Sequence, residues 1–338
     1  MRIFFILSGE HPTLPKAEVL AALESIGAEF RILQDLTQVL VLETDKINAL
    51  HERIALSHAL CEFFGACNAD MKEIIKLTEK SGIKIHGSFA VRVKRIAIAR
   101  PQVRKISTME LERNIGKIIK GRADLKTPEN LIYGVLSDKF VLGKLMHKID
   151  RSEYEKRKPH LRPYFRPGVM LPRNCRAVVN LTRVRAGQKF LDPFCGTGGF
   201  LIEAGLVGAN VYGCDIDSEA VEGCEKNLGY CGIKNYKLEV SDARALKHKY
   251  KNFFDAIATD PPYGISTSTK GLELEELYKS SIASFYEILK PSKYACVIAP
   301  SKVALEKIAE GAGFEVLEKH FERIHRSLIR KILVIRKV

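Results

Sequence analysis

Apolar positions along this chain switch between two periods, and the switches mark out its elements. Residues 3–7 form a short apolar run and read as a strand. Helical spacing follows over residues 14–26 (Leu14, Ala17, Leu20, Ala21, Leu23, Ile26), with Thr13 placed to cap it and Gly27 to stop it. Residues 30–33 and 39–42 read as a hairpin, 47–56 as a helix and 61–64 as a further strand. That βαββαβ order predicts a ferredoxin-like α+β unit over residues 1–70. Residues 71–150 give a helix at 71–80, a strand at 88–96, a helix at 108–120 and strands at 131–136 and 140–146. In the strand at 88–96, Phe89, Val91 and Val93 alternate with Arg92 and Lys94, which predicts a half-buried strand with a basic outer face. Residues 151–170 break the pattern, and Pro159, Pro163 and Pro167 mark them as a linker.

From residue 171 to 338 strands and helices alternate, which predicts an α/β domain around a parallel sheet. Residues 189–192 run into a glycine-rich turn, Asp192-Pro193-Phe194-Cys195-Gly196-Thr197-Gly198-Gly199, and a helix follows. Glycines there let the backbone take positive φ and come close to a ligand. A second strand ends at Asp215, 23 positions after Asp192, about where a βαβ unit places an acid for ribose hydroxyls. A third, residues 236–240, ends before Asp242, and a fourth, residues 253–259, ends at Asp260. Ligands of open α/β sheets bind outside such carboxyl ends. A helix at 274–289, a strand at 294–299, a helix at 302–311 and an antiparallel pair at 314–323 and 328–336 close the domain. No Gly-Lys-Ser/Thr follows the glycine turn, which argues against a P-loop and nucleoside triphosphate chemistry. Asp217 reads as a helix cap rather than a ligand, and Asp242 reads equally as a cap or an adenine contact.

Asp260-Pro261-Pro262-Tyr263 carries the most specific chemistry. Two prolines remove two backbone donors and fix two φ angles, so the loop turns sharply with carbonyls left free to accept. Asp260 adds a further acceptor and Tyr263 a flat face. The set suits a planar aromatic amine, whose two N–H groups are held while its nitrogen meets an electrophile. Cys195 does not read as a nucleophile, because the substrate loop is Asp-Pro-Pro-Tyr and carries no cysteine.

On these motifs residues 171–338 resemble class I S-adenosylmethionine-dependent methyltransferases. The resemblance implies a Rossmann-like fold and S-adenosylmethionine as cofactor. It places cofactor contacts at Asp192, Cys195, Gly196, Thr197, Gly198, Asp215, Ile216, Asp242, Ala243 and Asp260, and catalysis at Asp260, Pro261, Pro262 and Tyr263. Asp at the first loop position, followed by Gly264, resembles the RNA guanine-N2 members. Gly87-Ser88-Phe89-Ala90-Val91-Arg92 resembles the signature strand of THUMP domains, modules of tRNA-modifying enzymes, which implies such a domain over residues 71–150.

Charge extends this picture. The 338 residues carry a net charge of +14, a balance that favours a polyanionic partner. Three runs concentrate it, at 92–105, 151–176 and 323–337, and the first and last contain no acid. Candidate RNA contacts are Arg92, Lys94, Arg95, Lys105, Arg162 and Arg166. Tyr164 and Phe165, set between the last two, serve either base stacking or the pinning of the linker. No stretch has the length and purity of a membrane span, and the apolar start breaks off at Ser8-Gly9-Glu10, too early for a signal peptide. Eight scattered cysteines without C-x₂-C pairs suggest no metal site and a cytoplasmic setting.

The whole order, ferredoxin-like unit, THUMP domain and class I domain, resembles the archaeal tRNA guanosine N2-methyltransferases that act at position 10. The resemblance implies methylation of the exocyclic N2 of a tRNA guanosine, once or twice. It also allows a small zinc-binding activator subunit, as in eukaryotic relatives. Three alternatives stand beside it: the same reaction at tRNA position 6, a DNA adenine-N6 methyltransferase, and a non-catalytic RNA-binding protein.

Overall fold

Two sheets organise the chain. The computed structural model describes residues 1–96, 106–263, 274–325 and 328–338. Arg100, Arg104 and Lys105 of the first basic run, and Gly264, lie outside the described residues.

The first unit comprises Met1–Glu10, Ala28–Glu52 and Ser57–Asp150. Its strands are β1 (Arg2–Leu7), β2 (Phe30–Leu36), β3 (Val39–Thr44), β4 (Ser57–Cys67), β5 (Lys84–Arg95), β6 (Lys120–Ala123), β7 (Asn130–Leu136) and β8 (Phe140–Lys148). They form one eight-stranded sheet, ordered β2-β3-β1-β4-β8-β7-β5-β6. The boundary expected at residue 70 therefore has no counterpart in the sheet, which β4 and β8 carry across it in antiparallel register. Two amphipathic helices of this unit, Met71–Ser81 and Thr108–Ile118, are capped by Asp70 and Ser107 and bury Ile74, Leu111 and Ile115. β6 begins at the last residue of the helix expected over 108–120 and is not expected from the sequence pattern. All four of its residues are exposed, so no periodic apolar signal marks it.

The second unit comprises His11–Gly27, Arg53–Leu56 and Arg151–Val338. Its first helix, α1 (Leu14–Ser25), falls in the sequence pattern within the ferredoxin-like unit expected over residues 1–70. It belongs instead to this unit's core, where Leu14, Ala17 and Ala21 cluster with Val178, Leu181 and Phe200. Thr13 precedes α1 without a side-chain capping bond; its hydroxyl lies 2.7 Å from His320 Nδ1. Glu18 of α1 is fully buried and accepts from the Ala55 and Leu56 backbones and from Asn180 Nδ2 at 2.7–2.9 Å. Burial pushes its carboxyl up to about 7, against the pull of those donors.

The remaining helices of this unit are α2 (Ser152–Lys156), α3 (Pro172–Leu181), α4 (Gly199–Leu206), α5 (Ser218–Tyr230), α6 (Leu274–Ile288) and α7 (Leu305–Gly311). Its strands are β9 (Lys189–Asp192), β10 (Asn210–Asp215), β11 (Tyr236–Val240), β12 (Phe254–Thr259), β13 (Leu289–Pro300), β14 (Phe314–His325) and β15 (Leu328–Lys337). The sheet order is β11-β10-β9-β12-β13-β15-β14, parallel from β11 to β13 and closed by antiparallel β15 and β14. β9 has β10 on one side and β12 on the other, so the strand order reverses there. That is the switch point at which such sheets bind ligands.

The expected linker is structured and belongs to this unit. Tyr154 of α2 is buried, and Arg157 donates twice to the fully buried carboxylate of Glu203 on α4. Arg176 of α3 pairs with the same carboxylate at 3.0 Å. Tyr164 is pinned by its backbone, which exchanges two 2.9 Å hydrogen bonds with the Asn227 side chain of α5. Gly223 makes room for its ring, since a Cβ there would sit 2.1 Å from Tyr164 Cδ1.

Candidate active site

β9 and β12 are short buried strands whose apolar residues fix their depth, so the acids ending them emerge at one edge. Asp192 closes β9 and is buried there. Its Oδ1 accepts from the Thr259 hydroxyl at the end of β12 (2.8 Å) and from the Phe194 backbone (3.2 Å). Burial pushes its carboxyl up to about 8 despite these donors. Asp215 closes β10. Its Oδ2 accepts from the Gly196 N–H at 3.0 Å and its Oδ1 from the Asp217 N–H at 3.1 Å. The glycine turn is thus tied to the neighbouring strand's acid.

Two glycines are required by this turn. Gly196 has φ +47° and Gly198 has φ +81°, where side chains are strained. A Cβ on Gly198 would also lie 2.7 Å from Cys224 Sγ. Cys195 is buried, and a hydrogen bond with Cys224 together with burial drives its thiol well up. Its side chain packs in this unit's core cluster. Thr197 is buried and its carbonyl accepts from Asn227. Ile216 is 41% exposed directly after Asp215, an apolar face left open beside the acid.

Asp242 lies after β11. Its side chain caps the short 3₁₀ turn Ala243–His248 through the Arg244 N–H (2.9 Å), and both its oxygens are engaged by the Arg244 guanidinium. Ala243 is buried, and its carbonyl accepts from Ser284. Asp217 caps α5 and pairs with Arg166 at 2.8 Å.

Asp260 follows β12 directly. The Tyr263 hydroxyl donates to its Oδ1 at 2.5 Å, and Arg330 Nη2 lies 3.7 Å from its Oδ2. Burial pushes the Asp260 carboxyl up, while Arg330 and the Tyr263 hydroxyl pull it down. Pro261 and Pro262 contribute no backbone N–H to this turn.

Among the described residues, several members of the basic runs are buried or paired. Arg162 is 5% exposed; its Nε donates to the Arg157 carbonyl, so a surface phosphate contact does not fit it. Arg166 is spent on Asp217 and Glu219. Arg330, Lys331 and Lys337 of the last run are buried, Lys331 against Glu306 and Lys337 on carbonyls of β13 and α6. In the first unit Arg95 donates to the Ile106 carbonyl and Arg92 to the Leu125 carbonyl. Arg92 and Lys94, with Lys126 and Tyr133, line an open groove there.

Arg330 and Glu322 were missed as site residues. Their signal was topological. β15 runs antiparallel to β13 with Arg330 opposite Pro300, so its early residues reach the edge where the parallel strands end.

Residues 159–332 match the family model for the RMKL-like methyltransferase domain. Along its whole length the chain resembles the tRNA (guanine(10)-N2)-dimethyltransferase of Methanothermobacter thermautotrophicus, 39% identical over 345 aligned positions that cover 100% of each chain. The protein of the same name from Pyrococcus abyssi is 36% identical over 97% of this chain and 98% of its own. The crystal structure of TrmN from Thermus thermophilus matches with a TM-score of 0.55 at 19% identity, covering 100% of both chains. A possible methylase from Clostridium difficile 630 gives 0.54 at 16%, over 100% of this chain and 98% of that one. At such identities the two structures speak for the fold alone.

Proposed function

The chain belongs to the family of tRNA (guanine(10)-N2)-dimethyltransferases, and on that premise we propose that it methylates the exocyclic N2 of a guanosine in tRNA, twice, at position 10. The enzyme is S-adenosylmethionine-dependent, as the family and fold imply. The observation that carries the reading is the meeting of the glycine turn, Asp192, Asp215 and Asp260 at one edge of the sheet, around its switch point.

The residues at that edge suit the cofactor. Each Asp215 oxygen accepts one backbone N–H and keeps a lone pair for a ribose hydroxyl. Ile216 offers an apolar face to adenine. Gly196 and Gly198 keep side chains away from the turn, and the carboxyl groups of Asp192 and Asp215 beside it favour a cation when ionised. Asp242 and Ala243 stand on the adenine side; with both Asp242 oxygens engaged by Arg244, Asp242 serves chiefly to shape that turn. When bound, S-adenosylmethionine supplies a methyl group made electrophilic by its sulfonium.

The chain's own part is to position an amine and remove a proton. Asp260 and the Pro261 carbonyl accept the N2 hydrogens. Tyr263 stacks on the base while its hydroxyl keeps Asp260 aimed. Asp260, with its carboxyl raised by burial, is suited to take the proton released as the amine is methylated. A paired guanine cannot reach such a loop, so the base must leave its helix.

The first unit supplies RNA contacts through the groove at Arg92 and Lys94, in the role a THUMP domain would have. Binding there should weaken steeply with salt. Among the described residues no helix is long and apolar enough to cross a membrane, and we place the reaction in the cytoplasm. Purified protein, labelled S-adenosylmethionine and unmodified tRNA transcripts test the reading. N2,N2-dimethylguanosine that disappears when guanosine 10 is replaced supports it. Methylation of that replaced transcript moves the site elsewhere. Activity that requires an added zinc-binding subunit would assign that partner, and activity of the chain alone dispenses with it.

A further inference from the structure

Arg330 stands opposite Glu322 in the β14–β15 register, and its guanidinium reaches towards Asp260. It is 6% exposed, yet it completes no hydrogen bond with either acid. Nη1 is 3.6 Å from Glu322 Oε2 and Nη2 is 3.7 Å from Asp260 Oδ2. Both distances exceed hydrogen-bond length. Arg330 Nε and Glu322 Oε2 are buried without a hydrogen-bond partner. Glu322 is not loose, because Asn174 Nδ2 donates to its Oε1 at 2.8 Å and leaves Oε2 as the open oxygen. Arg330 also lies 5.8 Å from the centre of the Tyr263 ring. A buried acceptor and a buried donor left open side by side are costly, and here they sit beside the loop assigned to the substrate amine.

We propose that Glu322 is the residue that selects guanine, by accepting the base's N1–H while Asp260 accepts from N2. The inference rests on the function proposed above. Guanine presents N1–H and the N2 amine as adjacent donors, and Glu322 and Asp260 are two acceptors bridged by one guanidinium. Arg330 offsets their mutual repulsion and so acts as a positioning residue for both. A purine with an unprotonated N1 would set a lone pair against the Glu322 carboxylate. A site built around such a hydrogen bond rejects the ligand lacking it far more strongly than an apolar pocket rejects a change in size.

The test compares tRNA transcripts carrying guanosine or 2-aminopurine at the target position. 2-Aminopurine keeps the amine but has an acceptor at N1. Wild type should prefer guanosine by roughly 10²-fold or more in kcat/KM. Glu322→Gln, whose amide can donate to N1, should narrow that preference at least about tenfold while binding S-adenosylmethionine as wild type does. Equal wild-type rates on the two transcripts overturn the proposal, whether or not the variant folds. So does a Glu322→Gln enzyme that binds cofactor but slows equally on both. A wild type that forms no N2-methylated guanosine on ordinary tRNA overturns the functional reading, and the Glu322 assignment falls with it. Methylation of both transcripts at one rate leaves that reading intact and removes Glu322 alone.

Discussion

Glu203 is the point at which the former linker is bound to the cofactor-side core, and replacing it with Gln tests that binding. The side chain is fully buried and faces two guanidinium groups, Arg157 at 2.7 Å and Arg176 at 3.0 Å. Those groups are 14% and 5% exposed, so water cannot replace the lost carboxylate. Both lie against the Tyr154 ring, at 4.2 and 5.7 Å from its centre, which offsets part of the loss. Breaking a buried ion pair by removing one partner costs about 3–5 kcal/mol. For a unit of this size the midpoint moves about 2–4 °C per kcal/mol, so Glu203→Gln should lower it by roughly 6–20 °C. Thermal and urea unfolding followed by circular dichroism measure this. Lys279→Ala, which breaks an exposed pair with Glu275, should leave the midpoint unmoved. Replacing Arg157, Arg176 and Glu203 together by apolar residues should recover most of the loss, since the cost lies in the unpaired charge. A Glu203→Gln protein within about 1 kcal/mol of wild type would refute the reasoning.

Further outcomes follow from the same structure. Glu18 titrates near 7 in the fold, above its unfolded value, so the folded state binds more protons between the two and stability falls as pH rises. Glu18→Gln should remove about 2–3 kcal/mol of the loss between pH 5 and 8 in urea titrations; equal slopes for both proteins would count against it. Asp192 is raised to about 8, and its ionised form favours a cationic cofactor. The affinity advantage of wild type over Asp192→Asn, measured by calorimetry, should therefore grow from pH 6 towards 8 and level off above it. Gly223→Ala pushes a Cβ into the Tyr164 ring, and chymotrypsin should then cut after Tyr164 or Phe165 faster than in wild type.

Much of the second unit was legible because buried parallel strands read as continuous apolar runs, and the acids ending them mark the ligand edge. Asp192, Asp215 and Asp260 were placed this way, and the tetrapeptide at 260–263 supplied its own chemistry. Other features depended on long-range pairing. α1 buries residues on nearly every side, so its pattern shows that it is a core helix and not which core it enters. Charge counts put Arg162 among the candidate RNA contacts and Arg330 and Lys337 in a basic run, because a count does not distinguish a solvated cation from one paired inside. Glu322 and Arg330 became visible as a pair only through the β14–β15 register. Glu62 and Lys144, in the middle of the sheet join that erased the boundary at 70, are matched across β4 and β8 in the same non-local way.

The most direct test of the central claim separates cofactor binding from methyl transfer at Asp260. Wild type and Asp260→Ala would be compared for S-adenosylmethionine affinity and for single-turnover formation of N2-methylguanosine on a tRNA transcript. The account expects similar affinity and loss of transfer by roughly 10²-fold or more in the variant, the scale of a positioned proton acceptor. Retention of the wild-type transfer rate by Asp260→Ala would contradict it.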